Sequence, residues 1–318
     1  MIKKSFMIFE ELQPLSNKNG MLPILGEHLG SIIMKKTYKG DKSMLNETFH
    51  IAVPTAFFED EFINIQGTID HIRYLYKKGV KSVLVCGTTG EQHSLNINEK
   101  IEILDRIVAE KELINNMEII FGVSSIKQKE AEELAKNIRD TNISGILLGY
   151  PPYILPTQAE ALIYTKTIIN HCKKPTILYN NPNRTGFDLS LESIIQLSNM
   201  ELVVGIKEAG RKERVQLLKK EMKRNDFYYY AGGESELDEK VILGFDRLSS
   251  IAGNLYPIEI SEWFKKLVSR QEITKQERVR IEDILLKVYQ GSPLINIKES
   301  INKKGIPIGI CRSPIGNQ

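Results

Sequence analysis

The stretch "ELVVGIKEAG", residues 201–210, reads as a strand that ends in a charge. Val203, Val204 and Ile206 form a near-continuous apolar run, which marks a strand covered on both faces, as in a parallel sheet. Lys207 follows directly. A lysine is rarely buried without a partner or a task, so its placement governs how the rest of the chain is read.

Outward from this stretch, runs of the same kind recur at "FHIAV", "SVLVCG", "MEIIFGV", "GILLG", "PTILYN", "FYYYAG" and "LSSIAG", which makes eight in all. Helical periodicity lies between them, as in Ile101, Leu104, Ile107 and Val108, or in Leu134 and Ile138. Asn96 and Ser190 stand where helix N-caps are expected. Eight strand–helix units over residues 48–257 predict an α/β chain folded as a closed (β/α)8 TIM barrel. A doubly wound open sheet is the rival, but no G-x-G-x-x-G follows the first strand. Helical segments at 258–270, 274–290 and 293–304 predict the last barrel helix and a small C-terminal helical appendage within 258–318. Residues 1–47 show no sustained period and read as an N-terminal extension, either a flexible arm or sequence upstream of a start at Met44.

The 318 residues are 42% hydrophobic and 26% charged, the balance of a soluble globular protein. A formal charge of +3 gives no reason to expect a nucleic-acid partner, and the basic cluster of Lys219, Lys220, Lys223 and Arg224 fits a solvated helix end. Cys86, Cys172 and Cys311 are too far apart to suggest a disulfide framework or a thiolate metal site, which fits the cytoplasm. The five histidines show no metal-ligand spacing, and no apolar run approaches a membrane span, so neither a metal nor a membrane is expected.

In such a barrel the chemistry sits at the carboxyl ends of the strands. Those ends carry Thr88 and Thr89 in "GTTGE", Tyr150 and Tyr153 in "GYPPY", and Tyr179 before "NNPNRTG". Lys207, then Gly232-Gly233-Glu234, then Asn254 complete the circuit. In an apolar mouth the charged form of Lys207 is disfavoured, and a free amine attacks a ketone to give a Schiff base that serves as an electron sink. The other reading of Lys207 is structural, either snorkelling outward or pairing with Glu208. Tyr179 is placed to relay a proton, with Thr89 as its hydrogen-bonding neighbour, whereas Tyr228, Tyr229 and Tyr230 read as packing. "GTTGE" is either a plain tight turn or a carboxylate cradle. Arg184, in a loop bounded by proline and glycine, favours bidentate carboxylate recognition over an ordinary surface role.

"GTTGE", "YNNPNRTG" and "GIKEAG", in this order and at these strand ends, resemble the dihydrodipicolinate synthase and N-acetylneuraminate lyase family of pyruvate-dependent class I aldolases. The resemblance runs from about residue 49 to "CRSPIG". It implies that Lys207 forms the Schiff base with pyruvate, with no separate cofactor. It implies that Thr88 and Thr89 hold the pyruvate carboxylate, Thr89 also joining the relay around Tyr179. Gly232, Ser249 and Ile251 would lie beside the substrate. Tyr153 would enter the neighbouring subunit's site, which implies a dimer or a dimer of dimers. Arg184 resembles the arginine with which synthases bind aspartate semialdehyde, and points to condensation of that aldehyde with pyruvate to give 4-hydroxy-tetrahydrodipicolinate.

Pro152 stands where synthases usually have a tyrosine, and Gly233-Glu234 where they usually have Asp-Asp. Both border the second substrate and keep a second reading open, an aldolase for a 2-oxo-3-deoxy sugar acid, a sialic acid or a specialised metabolite. Gln92, His93, Ile97, Lys100, Ile126 and Pro152 replace residues of the lysine-inhibition site while Glu130 is kept, so inhibition by lysine is not expected. A third reading, a barrel that has lost catalysis and serves as a binding subunit, conflicts with the intact Thr89, Tyr153, Tyr179 and Lys207.

Overall fold

The computed structural model describes residues 45–316; the readings for residues 1–44 lie outside the described residues. The chain runs β1 (Phe49–Ala52), α1 (Ile65–Lys77), β2 (Ser82–Val85), α2 (Ile97–Ala109), α3 (Lys111–Asn116), β3 (Glu118–Val123), α4 (Gln128–Arg139), β4 (Gly145–Gly149) and α5 (Gln158–Cys172). It continues through β5 (Thr176–Asn180), α6 (Pro182–Thr185), α7 (Leu191–Ser198), β6 (Val203–Glu208), α8 (Arg214–Glu221), β7 (Tyr228–Ala231), α9 (Leu237–Ile242) and β8 (Arg247–Ser250). A 3-10 turn at Ala252–Asn254 precedes α10 (Pro257–Val268), α11 (Lys275–Tyr289) and α12 (Pro293–Lys303). The eight strands pair in chain order, all parallel, and β8 closes on β1. This is the (β/α)8 barrel, with α10 as its eighth helix and α11 and α12 appended.

Local chemistry sets the helix starts. The Asn96 side chain accepts the Glu99 N–H at 3.0 Å while the Glu99 carboxylate accepts the Asn96 N–H at 2.8 Å, a reciprocal cap that satisfies two otherwise unpaired donors. Thr157 with Glu160, and Thr274 with Glu277, repeat the device at α5 and α11. Ser190 caps α7 by accepting the Ser193 N–H at 3.1 Å. The sequence showed no sign of the short α3 and α6, which are too brief to carry a periodic signal.

The apolar runs are continuous because the barrel has two insides. Ala52, Leu84, Ile120, Leu147, Ile177, Val204 and Tyr230 fill the lumen, and Leu45 packs among them from below β1. The backbone N–H groups of Asn46 and Glu47 donate to the Glu118 carboxylate at the start of β3, so residues 45–47 sit against the barrel rather than apart from it. Val83, Val85, Ile119, Phe121, Ile146, Val203 and Ile206 face outward onto the helices.

Side chains on a strand alternate between these two sides, so Val204 in the lumen would put Ile206 in the lumen and Lys207 outside. A register irregularity intervenes. Thr176 is opposite Val203, but the next residue, Ile177, is opposite Gly205. The extra residue reverses the parity, sends Ile206 outward and returns Lys207 to the lumen. Gly205 permits the bulge, since a Cβ there would lie 2.5 Å from the Tyr228 carbonyl oxygen and 3.1 Å from the Tyr230 ring.

Candidate active site

Lys207 is 8% exposed and donates from Nζ to Ser249 Oγ at 2.9 Å, across the lumen mouth from β6 to β8. Its ammonium lies 5.0 Å from the centroid of the Tyr179 ring on neighbouring β5. Burial lowers the pKa of the amine from its ordinary 10.5, and the nearby Tyr179 and Glu234 only partly oppose this. The structural reading, a pair with Glu208, does not hold. Glu208 points outward and accepts from Arg214 Nη1 at 3.0 Å and from Asn180 Nδ2 at 3.1 Å, while Arg214 also binds Asp188 through two bonds of 2.8 and 2.7 Å. That network satisfies Glu208 without the lysine.

The Tyr179 hydroxyl has two partners: Thr88 Oγ1 at 3.2 Å and Asn181 Nδ2, which donates to it at 2.7 Å. The neighbour expected from the sequence was Thr89, and the structure gives the contact to Thr88. The "GTTGE" turn, closed by the Glu91 N–H on the Thr88 carbonyl at 3.0 Å, carries successive side chains in different directions. Thr88 faces the phenol, and the Thr89 hydroxyl has no partner among the described residues. Asn181 gave no signal beyond its place in "YNNPNRTG".

Tyr179 and Thr88 form one wall of a cavity of about 230 Å³; Lys207 is not itself part of its lining, and the Tyr179 ring, 5.0 Å from the ammonium, is the link between them. Gln92, His93, Ser124 and Arg184 line it further out, and none of its lining residues is acidic. Burial lowers the His93 pKa and the nearby Arg184 lowers it further, against the pull of Glu91. Behind this wall Lys100 is 2% exposed and donates to the Ser124 carbonyl at 2.8 Å. Arg184 is thus at the cavity, as its loop suggested. Tyr153 is not: at φ +72 it is 92% exposed, and its hydroxyl has no partner among the described residues. Tyr150 is a packing residue, its hydroxyl 3.0 Å from Thr165 on α5.

On the other side of Lys207, a Cβ at Gly232 would lie 3.3 Å from Lys207 Cε, so the glycine gives the lysine room. Ile251 presents its backbone N–H to Glu234 at 3.1 Å. Among the described residues no group of three or more His, Cys, Asp or Glu side chains is arranged to hold a metal.

Two groups escaped the sequence reading. Glu91, the last residue of "GTTGE", is fully buried at φ +52 and pairs with Lys298 of α12 at 2.5 Å. Lys298 also donates to the Ile310 carbonyl at 2.6 Å, and the Arg312 N–H donates to Glu91 Oε2 at 2.9 Å. Arg312 then binds the carbonyls of Glu61 and Ser94 and the carboxylate of Glu99, which brings Ile315 to the cavity wall. The C-terminal segment therefore braces the turn that carries Thr88. Nothing local in the sequence joins residues so far apart.

The fold and the cluster at its mouth define a (β/α)8-barrel enzyme of the lyase and aldolase kind. The chain belongs to the dihydrodipicolinate synthetase family, whose profile matches residues 47–318. It is 29% identical over 266 residues to the 4-hydroxy-tetrahydrodipicolinate synthase of Methanococcoides burtonii, covering 83% of this chain and 90% of that one. Among solved structures, dihydrodipicolinate synthase from Aquifex aeolicus superposes with a TM-score of 0.78 at 23% identity, covering 86% of this chain and 93% of that one. The Acinetobacter baumannii synthase complexed with pyruvate superposes with a TM-score of 0.75 at 26% identity, over 85% and 92%. No described helix is long and apolar enough to cross a membrane.

Proposed function

We propose that this protein condenses pyruvate with L-aspartate 4-semialdehyde to 4-hydroxy-tetrahydrodipicolinate through an imine on Lys207. The observation that carries the reading is a buried amine with no carboxylate in contact, held by Ser249 at 2.9 Å and flanked by a phenol bonded to Thr88 and Asn181. Burial shifts the amine toward its neutral form, and only the neutral amine is a nucleophile. It adds to the ketone carbon of pyruvate, the ketone oxygen leaves as water, and nitrogen and carbon become doubly bonded. The resulting iminium acidifies the methyl group; loss of one methyl proton gives an enamine whose carbon attacks the aldehyde. The amino group of the semialdehyde then displaces Lys207 from the iminium carbon, which closes the ring and frees the amine. Tyr179 is the group placed to move these protons, with Thr88 and Asn181 fixing its hydroxyl. Thr89 and the N–H groups of its turn remain for the pyruvate carboxylate.

A cavity lined by Arg184 and His93 and by no acid supports an acceptor that carries a carboxylate. Relatives named as synthases support the aldehyde chosen here. Gln92, Ser124 and Thr185 on the same wall offer neutral hydrogen bonds and favour, as second reading, a 2-oxo-3-deoxy sugar acid. Exposed Tyr153, Ile154 and Leu155 form an apolar tip that supports self-association, through which Tyr153 would reach a neighbouring site. The test is incubation with pyruvate and borohydride followed by mass spectrometry. The expected result is a reduced adduct on the peptide containing Lys207, absent in Lys207→Ala; no adduct would sink both readings. A coupled assay comparing aspartate semialdehyde with sugar acids then chooses between them.

A further inference from the structure

The chain turns sharply after β7. Gly233 has φ +107, a conformation open to glycine, and a Cβ there would meet Tyr289 Oη at 3.1 Å and Ile251 Cδ1 at 3.4 Å. The turn drives Glu234 inward until it is 1% exposed. Its carboxylate accepts from Ser250 Oγ at 2.5 Å, from the N–H groups of Ile251 and Ala252 at 3.1 and 3.2 Å, and from the Tyr289 hydroxyl. Tyr289 Oη also accepts the Glu234 N–H at 3.3 Å, so α11 of the appendage grips this residue twice. Ser250 Oγ in turn accepts the Gly253 N–H at 2.8 Å.

Every donor to the Glu234 carboxylate except Tyr289 follows Ser249 within three residues, and Ser249 is the acceptor for Lys207. Plain turn closure needs only a neutral acceptor. A buried carboxylate is a costly choice unless its charge is used, because desolvation penalises it even when hydrogen-bonded. Burial does push the Glu234 pKa up, while Ser250 and Tyr289 pull it back. The titratable groups within electrostatic reach of Lys207 are Tyr179 from β5, His50 from β1 and Glu234 from the β7 turn. Of these, Glu234 is the carboxylate.

We infer that Glu234, clamped by Tyr289 of the appended helix, is a positioning residue for Lys207, locking the end of β8 that presents Ser249. The inference rests on the imine chemistry proposed above. It also gives the appendage a role at the site: Tyr289 is the link from α11 to the strand that faces the lysine.

The test follows the rate of pyruvate adduct formation on Lys207 in the full chain, with cyanoborohydride, from about pH 6 to about pH 10. Circular dichroism confirms that each variant is folded. Glu234→Gln keeps the shape but puts a donor where a carboxylate oxygen accepts, which loosens the segment holding Ser249. The Lys207 ammonium then loses its acceptor, so the pH midpoint of the rate is expected to fall by about 0.5–1 unit. Tyr289→Phe keeps the charge and removes one clamp, and is expected to lower the plateau rate by about 3–10-fold, the worth of one hydrogen bond. A folded Glu234→Gln protein with the wild-type midpoint would overturn the inference. If that variant does not fold, a wild-type plateau in Tyr289→Phe would overturn it instead. Failure of the wild-type chain to form any adduct is a separate result, which removes the imine chemistry and this inference together.

Discussion

Replacing Lys298 with methionine should destabilise the fold more than any surface ion-pair change, although Lys298 lies on the last described helix. Its side chain is 2% exposed and that of Glu91 is fully buried, with 2.5 Å between the charged atoms. At that distance the gross attraction is on the order of 6 kcal/mol for an effective dielectric of about 20. Desolvation of the two groups cancels much of it, so the intact pair contributes little net stability. Breaking it is different. Lys298→Met leaves Glu91 charged and buried with the Arg312 N–H at 2.9 Å as its remaining partner, and orphans the Ile310 carbonyl as well. Loss of one partner of such a pair costs about 3–5 kcal/mol. For a chain of this size that corresponds to a fall in Tm of roughly 4–8 °C. Urea unfolding followed by circular dichroism measures it, and the double replacement of Glu91→Gln with Lys298→Met supplies the control. With the charge gone the double variant should regain most of the loss. Should Lys298→Met unfold at the wild-type midpoint, or the double variant prove no better than the single one, the reasoning about an uncompensated buried charge is refuted.

Gly205→Ala should destabilise by about 2 kcal/mol or more and reduce adduct formation on Lys207, because its Cβ would stand 2.5 Å from the Tyr228 carbonyl oxygen at the bulge; wild-type melting and wild-type trapping would show the bulge to be dispensable. Thr88→Val should slow pyruvate trapping by about 10–100-fold, whereas Thr89→Val should chiefly raise the pyruvate concentration required. The reverse pattern would put the relay on Thr89. Burial lowers the pKa of His50 to about 3 and that of His71 to about 4, against an ordinary 6.5, so both are neutral in the folded chain near neutrality. Below 6.5 the unfolded chain takes up protons that the folded one refuses, and stability should fall as pH drops from there toward 3–4. His50→Phe should flatten that decline in acid denaturation curves, and an unchanged slope would contradict it.

The readable parts of this chain were those governed by local pattern. Continuous apolar runs announced strands buried on both faces, and Asn96 and Ser190 marked helix starts because a cap satisfies donors within three residues. Arg184, Tyr179 and Lys207 were picked out because strand ends share one face of a barrel. The neighbour of Tyr179 was misjudged by one residue, since the direction of a side chain in a tight turn depends on φ and ψ that composition does not report. Glu91 gave no signal beyond its place in "GTTGE", and its partner Lys298 lies 207 residues further on.

Residue type and spacing by themselves determined the barrel, its order of strands and the set of polar groups gathered at its mouth. Which way Lys207 points was decided only in three dimensions. Simple alternation from Val204 would have turned the amine outward, toward the network that Glu208 joins. One extra residue opposite β5, tolerated because Gly205 has no side chain, reverses that parity and brings the amine to Ser249 and Tyr179. Register between strands is a property of pairing across the sheet, and no single strand carries it in its own sequence.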